Sequence, residues 1–373
     1  MKYKGKQVLQ SQVKMSEIDK DLYKNFDFTF EGQTKFNVPN FPNIDEDFAI
    51  GVIYGSSGSG KSTILKGLGS VPKPDWDNSK TVASHFASVD EAIEKLSAVG
   101  LNTVPTWAKP RNVLSNGEGF RADLARVLKS GALIDEFTSV VNREVAKSCS
   151  LAITKYIKRN NLKGIVIATC HEDILQWLEP DWVYNTDTEE LIRGRLRRPK
   201  INFSIGITDR HIWPVFAKHH YLTADLPMAV RCFSCNYAGK VIGFGSSIAL
   251  PGRIPPLYDG DRRNKFRECR TVILPDFQGM GIGVRFSDAI ADLHIERGYR
   301  YFSKTAHIRM GEYRESSSLW RATSTNQADR SKSCKRNKKD TWKHFKLDTE
   351  RICYSHEYIG PNNKSYDKKW NVK

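Results

Sequence analysis

The segment that most constrains the fold is a glycine-rich stretch, GSSGSGKST over Gly55–Thr63. It follows the short apolar, β-branched run Phe48–Tyr54 and agrees in full with the pattern G-x-x-x-x-G-K-[ST]. A glycine-rich turn between a strand and a helix brings backbone N–H groups close to phosphate oxygens. Full agreement after a strand disfavours the alternative, a Gly/Ser linker. The segment therefore predicts an α/β unit that binds a nucleotide.

Two side chains of this segment carry specific chemistry. Lys61 reaches the terminal phosphates of a nucleotide, and Ser62 offers its hydroxyl to Mg²⁺. A phosphate-bearing ligand and Mg²⁺ are therefore predicted, and the third segment described below identifies the ligand as ATP. The residues expected to bind them are Gly55, Ser57, Gly58, Gly60, Lys61, Ser62 and Thr63.

Two adjacent carboxylates end a second apolar strand, Ala132–Ile134. Asp135 suits Mg²⁺, and Glu136 beside it could orient or polarise the attacking water. A solvated turn is the alternative, but a carboxylate pair that ends a buried strand is costly to keep without a role. The pair is therefore predicted to be catalytic.

A third segment, LSNGE at Leu114–Glu118, lies between the first two. In that position it resembles the LSGGE sequence of ATP-binding-cassette (ABC) ATPases, whose ATP sits between two copies of the domain. The resemblance implies an ATP-dependent homodimer in which Ser115 and Gly117 contact the ATP held by the partner. It also implies that His171, which ends the apolar strand after the carboxylate pair, contacts the γ-phosphate; a lone histidine is otherwise usually structural.

Three departures from the ABC pattern are visible. No glutamine lies between Lys61 and Leu114, and the short intervening segment leaves room only for a reduced helical subdomain. Asn142 stands where the family has an aspartate after the carboxylate pair. These departures disfavour coupling to a transporter and favour slow, regulatory turnover.

The length of the chain, 373 residues, predicts two domains, which are placed at 1–195 and 196–373. These two parts differ in charge. The first has 25 Lys/Arg and 25 Asp/Glu, and the second has 33 Lys/Arg and 17 Asp/Glu, so the second carries the whole net charge of +16. Such an excess of positive charge attracts a polyanion. Nucleic acid, and DNA in particular, is the default partner. A solvated basic face and the phosphates of a cofactor are the alternatives. Arg330–Lys346, where Trp342 and Phe345 interrupt the cations, is the densest stretch, and Arg193–Lys200 forms a basic linker.

Composition points to the cytoplasm, which would be the host cytoplasm for a phage-encoded chain. No apolar run approaches the length that crosses a bilayer, and Met1–Gln10 is too polar for a signal peptide. No membrane partner is therefore expected. Seven cysteines without regular spacing indicate reduced thiols. Cys232 and Cys235 form a single CxxC, interpreted as two strand cysteines, with a metal or redox site as the less favoured alternative.

The second half contains a strand at Arg270–Leu274, a glycine-rich turn and then a helix through Glu296. The turn presents N–H groups and a helix dipole to an anion. This order resembles the acyl-CoA-binding motif of the GNAT N-acetyltransferases, and the alternative is a turn without a ligand. The resemblance implies that the turn holds the pyrophosphate of acyl-CoA, with acetyl-CoA as the expected donor. The residues assigned to this site are Gln278, Gly279, Gly281 and Gly283.

Two residues are candidates for acid–base chemistry in this half. Glu268, placed just before the strand, could be the base for an incoming amine, or a solvated edge carboxylate. Tyr313 follows the next strand, where GNAT enzymes often place the proton donor for the departing thiolate, and the alternative is a core tyrosine. Lys218–Pro227 resembles the HY…LP element of Mom-like DNA-modifying phage proteins, whose target is an adenine amino group. Its residues His219, His220 and Tyr221 could instead cap a helix and fill a core.

The predicted fold class is α/β, a reduced ABC-type P-loop ATPase domain followed by a mixed α+β GNAT-like acyltransferase domain. The predicted function is ATP-regulated acyl transfer to nucleic acid. Two alternatives stay open at this point. One is an ATP-gated nucleic-acid-binding protein whose GNAT fold is inactive, and the other, less favoured, is the ATPase of a transporter.

Overall fold

A computed structural model describes residues 1–194, 196–220, 225–250, 264–328 and 353–361. The basic stretch Arg330–Lys346 and Tyr221 of the HY element lie outside the described residues. The chain divides into two compact units. One comprises Met1–Asn102 with Thr106–Lys200, and the other comprises Thr103–Pro105 with Ile201–Lys373. Among the described residues, no helix combines the length and apolarity required to span a bilayer.

The first unit is built on a five-stranded sheet. Its strand order is β4-β5-β3-β6-β7, in which the first four strands are parallel and β7 is antiparallel to β6. A separate antiparallel pair, β1 and β2, lies before it. The strands are β1 (Val8–Gln12), β2 (Gln33–Asn37), β3 (Ile50–Tyr54), β4 (Leu133–Ile134), β5 (Ile165–Thr169), β6 (Trp182–Asn185) and β7 (Glu190–Arg193). The helices of this part of the chain are α1 (Glu17–Asn25), α2 (Lys61–Leu68), α3 (Val89–Ala98), α4 (Val104–Trp107), α5 (Asn116–Val127), α6 (Arg143–Arg159) and α7 (Leu175–Leu178).

The central strands are apolar because both faces of the sheet are covered. Every residue of β5 is buried. The first four residues of β3 are also buried, and its last residue, Tyr54, is partly buried. Trp182 of β6 packs edge-on against Phe41 and Phe48, and its ring takes the space that a β-carbon at Gly51 would need. Because the strands are parallel, the carboxyl ends of β3, β4 and β5 meet at one edge, which is where ligands bind in such sheets.

The second unit is built on a seven-stranded sheet of order β8-β9-β10-β11-β12-β14-β13. All neighbours are antiparallel except β11 and β12, which are parallel and joined through a helix. The strands are β8 (Ser204–Thr208), β9 (Val230–Tyr237), β10 (Lys240–Ala249), β11 (Lys265–Ile273), β12 (Arg300–Thr305), β13 (Trp320–Ala322) and β14 (Tyr354–Tyr358). The helices are α8 (Trp213–Ala217), α9 (Ile282–Glu296) and α10 (Ile308–Ser316). The predicted fold class, α/β followed by mixed α+β, is confirmed.

The CxxC pair lies on β9, as the strand interpretation predicts. Cys232 belongs to the apolar cluster with Trp213 and Phe244, whereas the β-carbon of Cys235 lies near Gly243 and Ile273. Residues three apart on a strand point to opposite faces, so these two thiols do not converge on a shared ligand. Burial raises the pKa of both thiols, that of Cys235 to about 12.

A buried histidine makes the stability of the second unit depend on pH. His294 of α9 is 2% exposed; its Nδ1 lies 2.8 Å from the Ile290 carbonyl oxygen and its Nε2 lies 3.0 Å from Ser247 Oγ. Burial lowers its pKa to about 4. The unfolded chain therefore binds a proton at higher pH than the folded one, and stability is lost as pH falls from about 6.5 towards 4.

We expect the burial of His294 to lower the free energy of unfolding by about 2.5 kcal/mol when the pH falls from 7 to 4.5. Urea unfolding followed by tryptophan fluorescence at the two pH values measures the loss, and His294→Gln, which cannot ionise, removes that share of it. An identical pH dependence in the variant would show that His294 does not cause the loss.

Candidate functional site

The glycine-rich segment forms the loop between β3 and α2, at the edge where the parallel strands end. Gly60 lies at the N-cap of α2 with φ 95°, a left-handed conformation that favours glycine, and no side chain caps the helix. The first amides of α2 therefore point out of the helix without a side-chain acceptor. This arrangement fits the phosphates of a nucleotide.

The lysine and serine of the loop contact oxygen atoms of the protein. Lys61 Nζ donates to the carbonyl oxygens of Gly55, at 3.0 Å, and Ser56, at 2.5 Å. Ser62 Oγ donates to Asp135 Oδ1 at 2.9 Å. A hydroxyl and a carboxylate in contact are oxygen ligands of the kind Mg²⁺ prefers, so Ser62 and Asp135 fit that metal.

A carboxylate that sequence reasoning missed braces the loop from the turn between β6 and β7. Asp187 accepts from the backbone N–H of Ser56 at 2.8 Å and from Ser56 Oγ at 2.7 Å. The side-chain hydrogen bond from Ser56 holds the pKa of Asp187 below its ordinary value. No motif marks Asp187, because only the pairing of β3 with β6 brings it to the loop.

The two candidate hydrolytic residues follow β4 and β5. Glu136 is exposed, has φ 50°, and its N–H donates to Asp135 Oδ1 at 2.9 Å. His171 is half-buried, and its Nδ1 lies 2.9 Å from Thr138 Oγ1. Burial, and then the charge of Arg143, lower the pKa of His171, which keeps the ring neutral at neutral pH. The two residues thus follow neighbouring parallel strands at one sheet edge, and His171 contacts a threonine that the sequence pattern did not single out.

The LSNGE segment forms the start of α5. Ser115 is its N-cap, with a reciprocal capping box to Glu118, whose carboxylate also accepts from Thr106 Oγ1 at 3.0 Å. Burial alone would raise the pKa of Glu118, but the Ser115 and Thr106 hydrogen bonds hold it below its ordinary value. Gly117 follows in the first turn. The segment therefore presents a capped helix N-terminus.

Asn142, the departure from the ABC pattern, is the N-cap of α6. Its side-chain oxygen accepts from the N–H of Val145 at 2.8 Å. Asparagine and aspartate are both strong N-caps, so the substitution keeps the helix start.

The second predicted loop connects β11 to α9. Gly279 and Gly281 have φ 85° and 80°, and Gly281 is the N-cap of the 15-residue α9, without a side-chain cap. Gln278 Nε2 donates to the Ile273 carbonyl oxygen at 2.8 Å, which closes the turn. Gly283 lies in the first turn of the helix, with Ile273 beside it. These residues fit a pyrophosphate in the same way that the first loop fits ATP.

The parallel strands β11 and β12 separate beside this loop. They pair only from Lys265↔Arg300 to Arg267↔Phe302. The pairing of β10 with β11 shifts register between Ser246 and Ser247, which leaves Cys269 as an extra residue. Within the described residues, β11 then continues to Ile273 without a partner on the β12 side. The part of β11 that follows Arg267 therefore has an unpaired strand edge on the side of β12.

The predicted position of Glu268 just before the strand is wrong, and so is the alternative of a solvated edge carboxylate. Glu268 lies inside β11 and accepts from Thr271 Oγ1 at 2.6 Å and from Ser303 Oγ at 2.7 Å. Its salt bridge partner is Arg314 of α10, at 2.8 Å. Burial alone would raise the pKa of Glu268, but Arg314 and the hydroxyls hold it below its ordinary value. The bulge explains the error, because an extra residue turns Glu268 and Thr271 to the same face.

Tyr313 lies on α10, and its hydroxyl donates to the buried Asp288 of α9. Trp320 Nε1 donates to the other carboxylate oxygen at 2.7 Å. Burial raises the pKa of Asp288, and burial together with this hydrogen bond raises the pKa of Tyr313 to about 12. Asp288 and Trp320 were not predicted, since neither belongs to a motif.

A cavity of about 340 Å³ lies beside α8, lined by Arg210, His211, Trp213, Pro214, Asp225 and Leu226. Arg210 donates to the Leu226 carbonyl oxygen at 3.0 Å, and Arg270 of β11 donates to that of Asp225 at 3.0 Å. Of the HY element, the His220 ring packs edge-on against Trp213. The cavity thus combines an indole floor with charged groups at its rim.

No family model and no curated protein matches the chain. Solved structures similar to it include a dimeric bacterial ABC transporter cassette, 16% identical over 41% of this chain and 87% of that one, with a TM-score of 0.33. A component of an ABC transporter complex from Clostridium perfringens is 16% identical over 43% and 82%, with a TM-score of 0.31. An acetyltransferase from Bacillus subtilis in complex with CoA is 8% identical over 43% and 98%, with a TM-score of 0.29.

Proposed function

We propose that the chain is an ATP-hydrolysing switch coupled to an acyl-CoA-dependent transferase that modifies nucleic acid in the cytoplasm. The observation that carries the ATPase part is the meeting of Lys61, Ser62, Asp135, Glu136 and His171 at one sheet edge. Ser62 and Asp135 would hold Mg²⁺, and Glu136 would orient the attacking water. ATP would close a homodimer in which Ser115 and Gly117 of each copy complete the partner's site.

The separation of β11 from β12 beside the glycine-rich turn carries the transferase part of the proposal. The unpaired β11 edge offers backbone hydrogen bonds to an extended chain, and the α9 N-terminus at its end suits a pyrophosphate. Acyl-CoA would use both features, because one molecule of it contains an extended chain and a pyrophosphate. Acetyl-CoA is the expected donor. Tyr313 is the proposed proton donor for the departing thiolate, and its hydroxyl, which donates to Asp288 in this structure, would turn from that carboxylate to the thiolate.

The cavity beside α8 is the proposed acceptor site. Trp213 and Leu226 line the cavity and belong to the same apolar cluster as Phe244 and Val272. This cluster lies on one face of the seven-stranded sheet, whereas α9 packs over Gly245 on the opposite face. The indole and the charged rim of the cavity suit a planar base that bears an amino group. The excess charge of 196–373 would draw the polyanion to this unit.

A second candidate function is an ATP-gated nucleic-acid-binding protein whose second unit is inactive. One observation favours it: the carboxylate of Glu268 already accepts from Thr271, Ser303 and Arg314 and is not available as a base without breaking those contacts. Both candidates predict DNA binding that weakens with salt. They differ in whether a product forms.

Gly281→Val tests the transferase. A side chain at φ 80° is strained and places a β-carbon at the helix N-terminus, so we expect acyl-CoA binding in calorimetry to fall at least about 10-fold. Nucleoside mass spectrometry of cells that express the chain should show a mass shift that the variant lacks. Gly239→Val is the matched control, since Gly239 has φ 76° with nothing within 4 Å of its added β-carbon. A chain that binds no acyl-CoA with or without ATP would refute acyl transfer.

A further inference from the structure

A buried glycine, Gly119, lies in the first turn of α5, directly after the LSNGE segment. Glycine is among the least favourable residues inside a helix, because it loses the most backbone freedom on folding. Gly119 is not among the glycines with a left-handed backbone, so the backbone conformation does not require it. The reason for a glycine at this position is therefore to be found in its neighbours.

The guanidinium of Arg111 occupies the space that a side chain at position 119 would need. A β-carbon added to Gly119 would lie 2.3 Å from Arg111 Nη1 and 2.4 Å from Arg111 Cζ. Nonbonded heavy atoms normally stay roughly 3.5 to 4.0 Å apart. Arg111 lies in the short segment Arg111–Val113 that precedes LSNGE, so its side chain crosses the face of α5 at Gly119.

The far end of this arginine is fixed by Asp123, which lies one turn beyond Gly119 on α5. Arg111 Nε donates to Asp123 Oδ1 at 2.9 Å, and Arg111 Nη2 donates to Asp123 Oδ2 at 2.6 Å. Two parallel hydrogen bonds between a guanidinium and a carboxylate fix orientation as well as distance. The two side chains are only 26% and 34% exposed, so water screens this pair less than a fully exposed one.

A third segment joins the same face of α5. Trp76, from the segment between α2 and α3, donates from Nε1 to Asp123 Oδ1 at 2.7 Å. The guanidinium of Arg126 lies over the Trp76 ring, 4.9 Å from its centroid. Residues 119, 123 and 126 are spaced by four and three, so they share one face of the helix. That face is therefore held by two segments that precede it in the chain.

The other glycine of this turn, Gly117, has no such neighbour. Within the described residues, a β-carbon at Gly117 would meet nothing closer than 3.9 Å. Packing inside one copy therefore requires a glycine at position 119 but not at position 117. The two glycines differ in role, and only Gly117 is proposed to meet the ATP of a partner.

We propose that Arg111 is a positioning residue, which crosses α5 at Gly119 to reach Asp123 and so fixes the start of that helix for the ATP held by a second copy. A helix N-terminus binds phosphate only when its N–H groups point at the oxygens, and small misplacements are costly. Because Arg111 precedes LSNGE and Asp123 follows it, their contact fixes both ends of the segment that contains Ser115 and Gly117. The inference rests on the proposed nucleotide sandwich.

Arg111→Met in a Glu136→Gln background tests the proposal on the full chain. Sedimentation velocity with ATP and Mg²⁺ should show a dimer Kd raised about 10-fold or more, since each dimer contains two such helices. Fluorescent ATP, titrated at a protein concentration below that of dimer formation, should bind with unchanged affinity, because the Gly55–Thr63 loop is untouched. Arg193→Met, which removes an exposed ion pair with Glu46, is the matched control and should change neither quantity.

The outcomes separate the inference from the function on which it rests. A Glu136→Gln chain that stays a monomer with ATP would refute the nucleotide sandwich and the inference together. A dimer that forms equally well with and without Arg111 would overturn the inference alone. A loss of ATP affinity as large as the loss of dimer would assign Arg111 to the fold of a single copy and would likewise overturn it.

Gly119→Ala separates positioning from helix stability, because the two effects have opposite signs. Alanine favours a helix over glycine, so helix propensity alone predicts a dimer at least as tight. The added methyl group would displace the Arg111 guanidinium, so we expect the dimer to weaken as it does in Arg111→Met. Combined with Arg111→Ala, which empties the space, Gly119→Ala should cause no further loss. Thermal unfolding of each variant checks the fold, and an undiminished dimer in Gly119→Ala would contradict the proposal.

Discussion

Replacing Glu136 by Gln should lower ATP hydrolysis by about 1,000-fold and trap a nucleotide-bound dimer. The amide keeps the size of the side chain but cannot polarise the attacking water, and losing a general base typically costs a factor of 10² to 10⁴. Ser62 and Asp135, which contact one another, are untouched, so Mg²⁺ and ATP should still bind. Phosphate release measures hydrolysis, and sedimentation velocity with ATP and Mg²⁺ measures the dimer.

The matched control is Glu31→Gln, the same change at an exposed position outside the strand edge, for which hydrolysis and sedimentation should stay as in the unmodified chain. A Glu136→Gln variant that binds ATP yet sediments as a monomer would refute the proposed nucleotide sandwich. A variant that hydrolyses ATP at the original rate would refute the role of Glu136.

Replacing Glu268 by Gln should lower the free energy of unfolding by about 3 to 5 kcal/mol, the usual cost of leaving a buried charge without its partner. Arg314 is 1% exposed, and besides Glu268 its described hydrogen bonds are to the hydroxyls of Ser303 and Ser287. The guanidinium would therefore remain buried without the carboxylate that it contacts. Urea unfolding followed by tryptophan fluorescence measures the loss.

Glu312→Gln is the matched control, since its ion pair with Arg309 lies on the surface of the same helix and should contribute at most about 1 kcal/mol. Arg314→Met combined with Glu268→Gln should recover part of the loss, because no buried charge is then left unpaired. A Glu268→Gln variant with unchanged stability and no acyl transfer would restore the interpretation of Glu268 as a base.

Local patterns were sufficient wherever the chemistry lies within a few consecutive residues. A loop such as Gly55–Thr63 binds phosphate through its own backbone and the helix that follows it, so strand, turn and helix could all be predicted from one segment. The same holds for the turn between β11 and α9. The contact of Ser62 with Asp135 also follows from the sequence, because parallel strands end at one edge.

The remaining features depend on which strands are neighbours and where their register shifts. Asp187 reaches Ser56 only because β6 pairs with β3, and Thr138 reaches His171 only because β4 pairs with β5. Glu268 was misplaced because the extra residue at Cys269 turns its side chain to the face that Arg314 covers. By itself, the sequence determined the two anion-binding loops and the charge asymmetry of the chain, since both are properties of contiguous residues. Only the tertiary structure decided which carboxylates are available for chemistry and which are consumed in ion pairs, because burial and partners come from residues far apart in the chain.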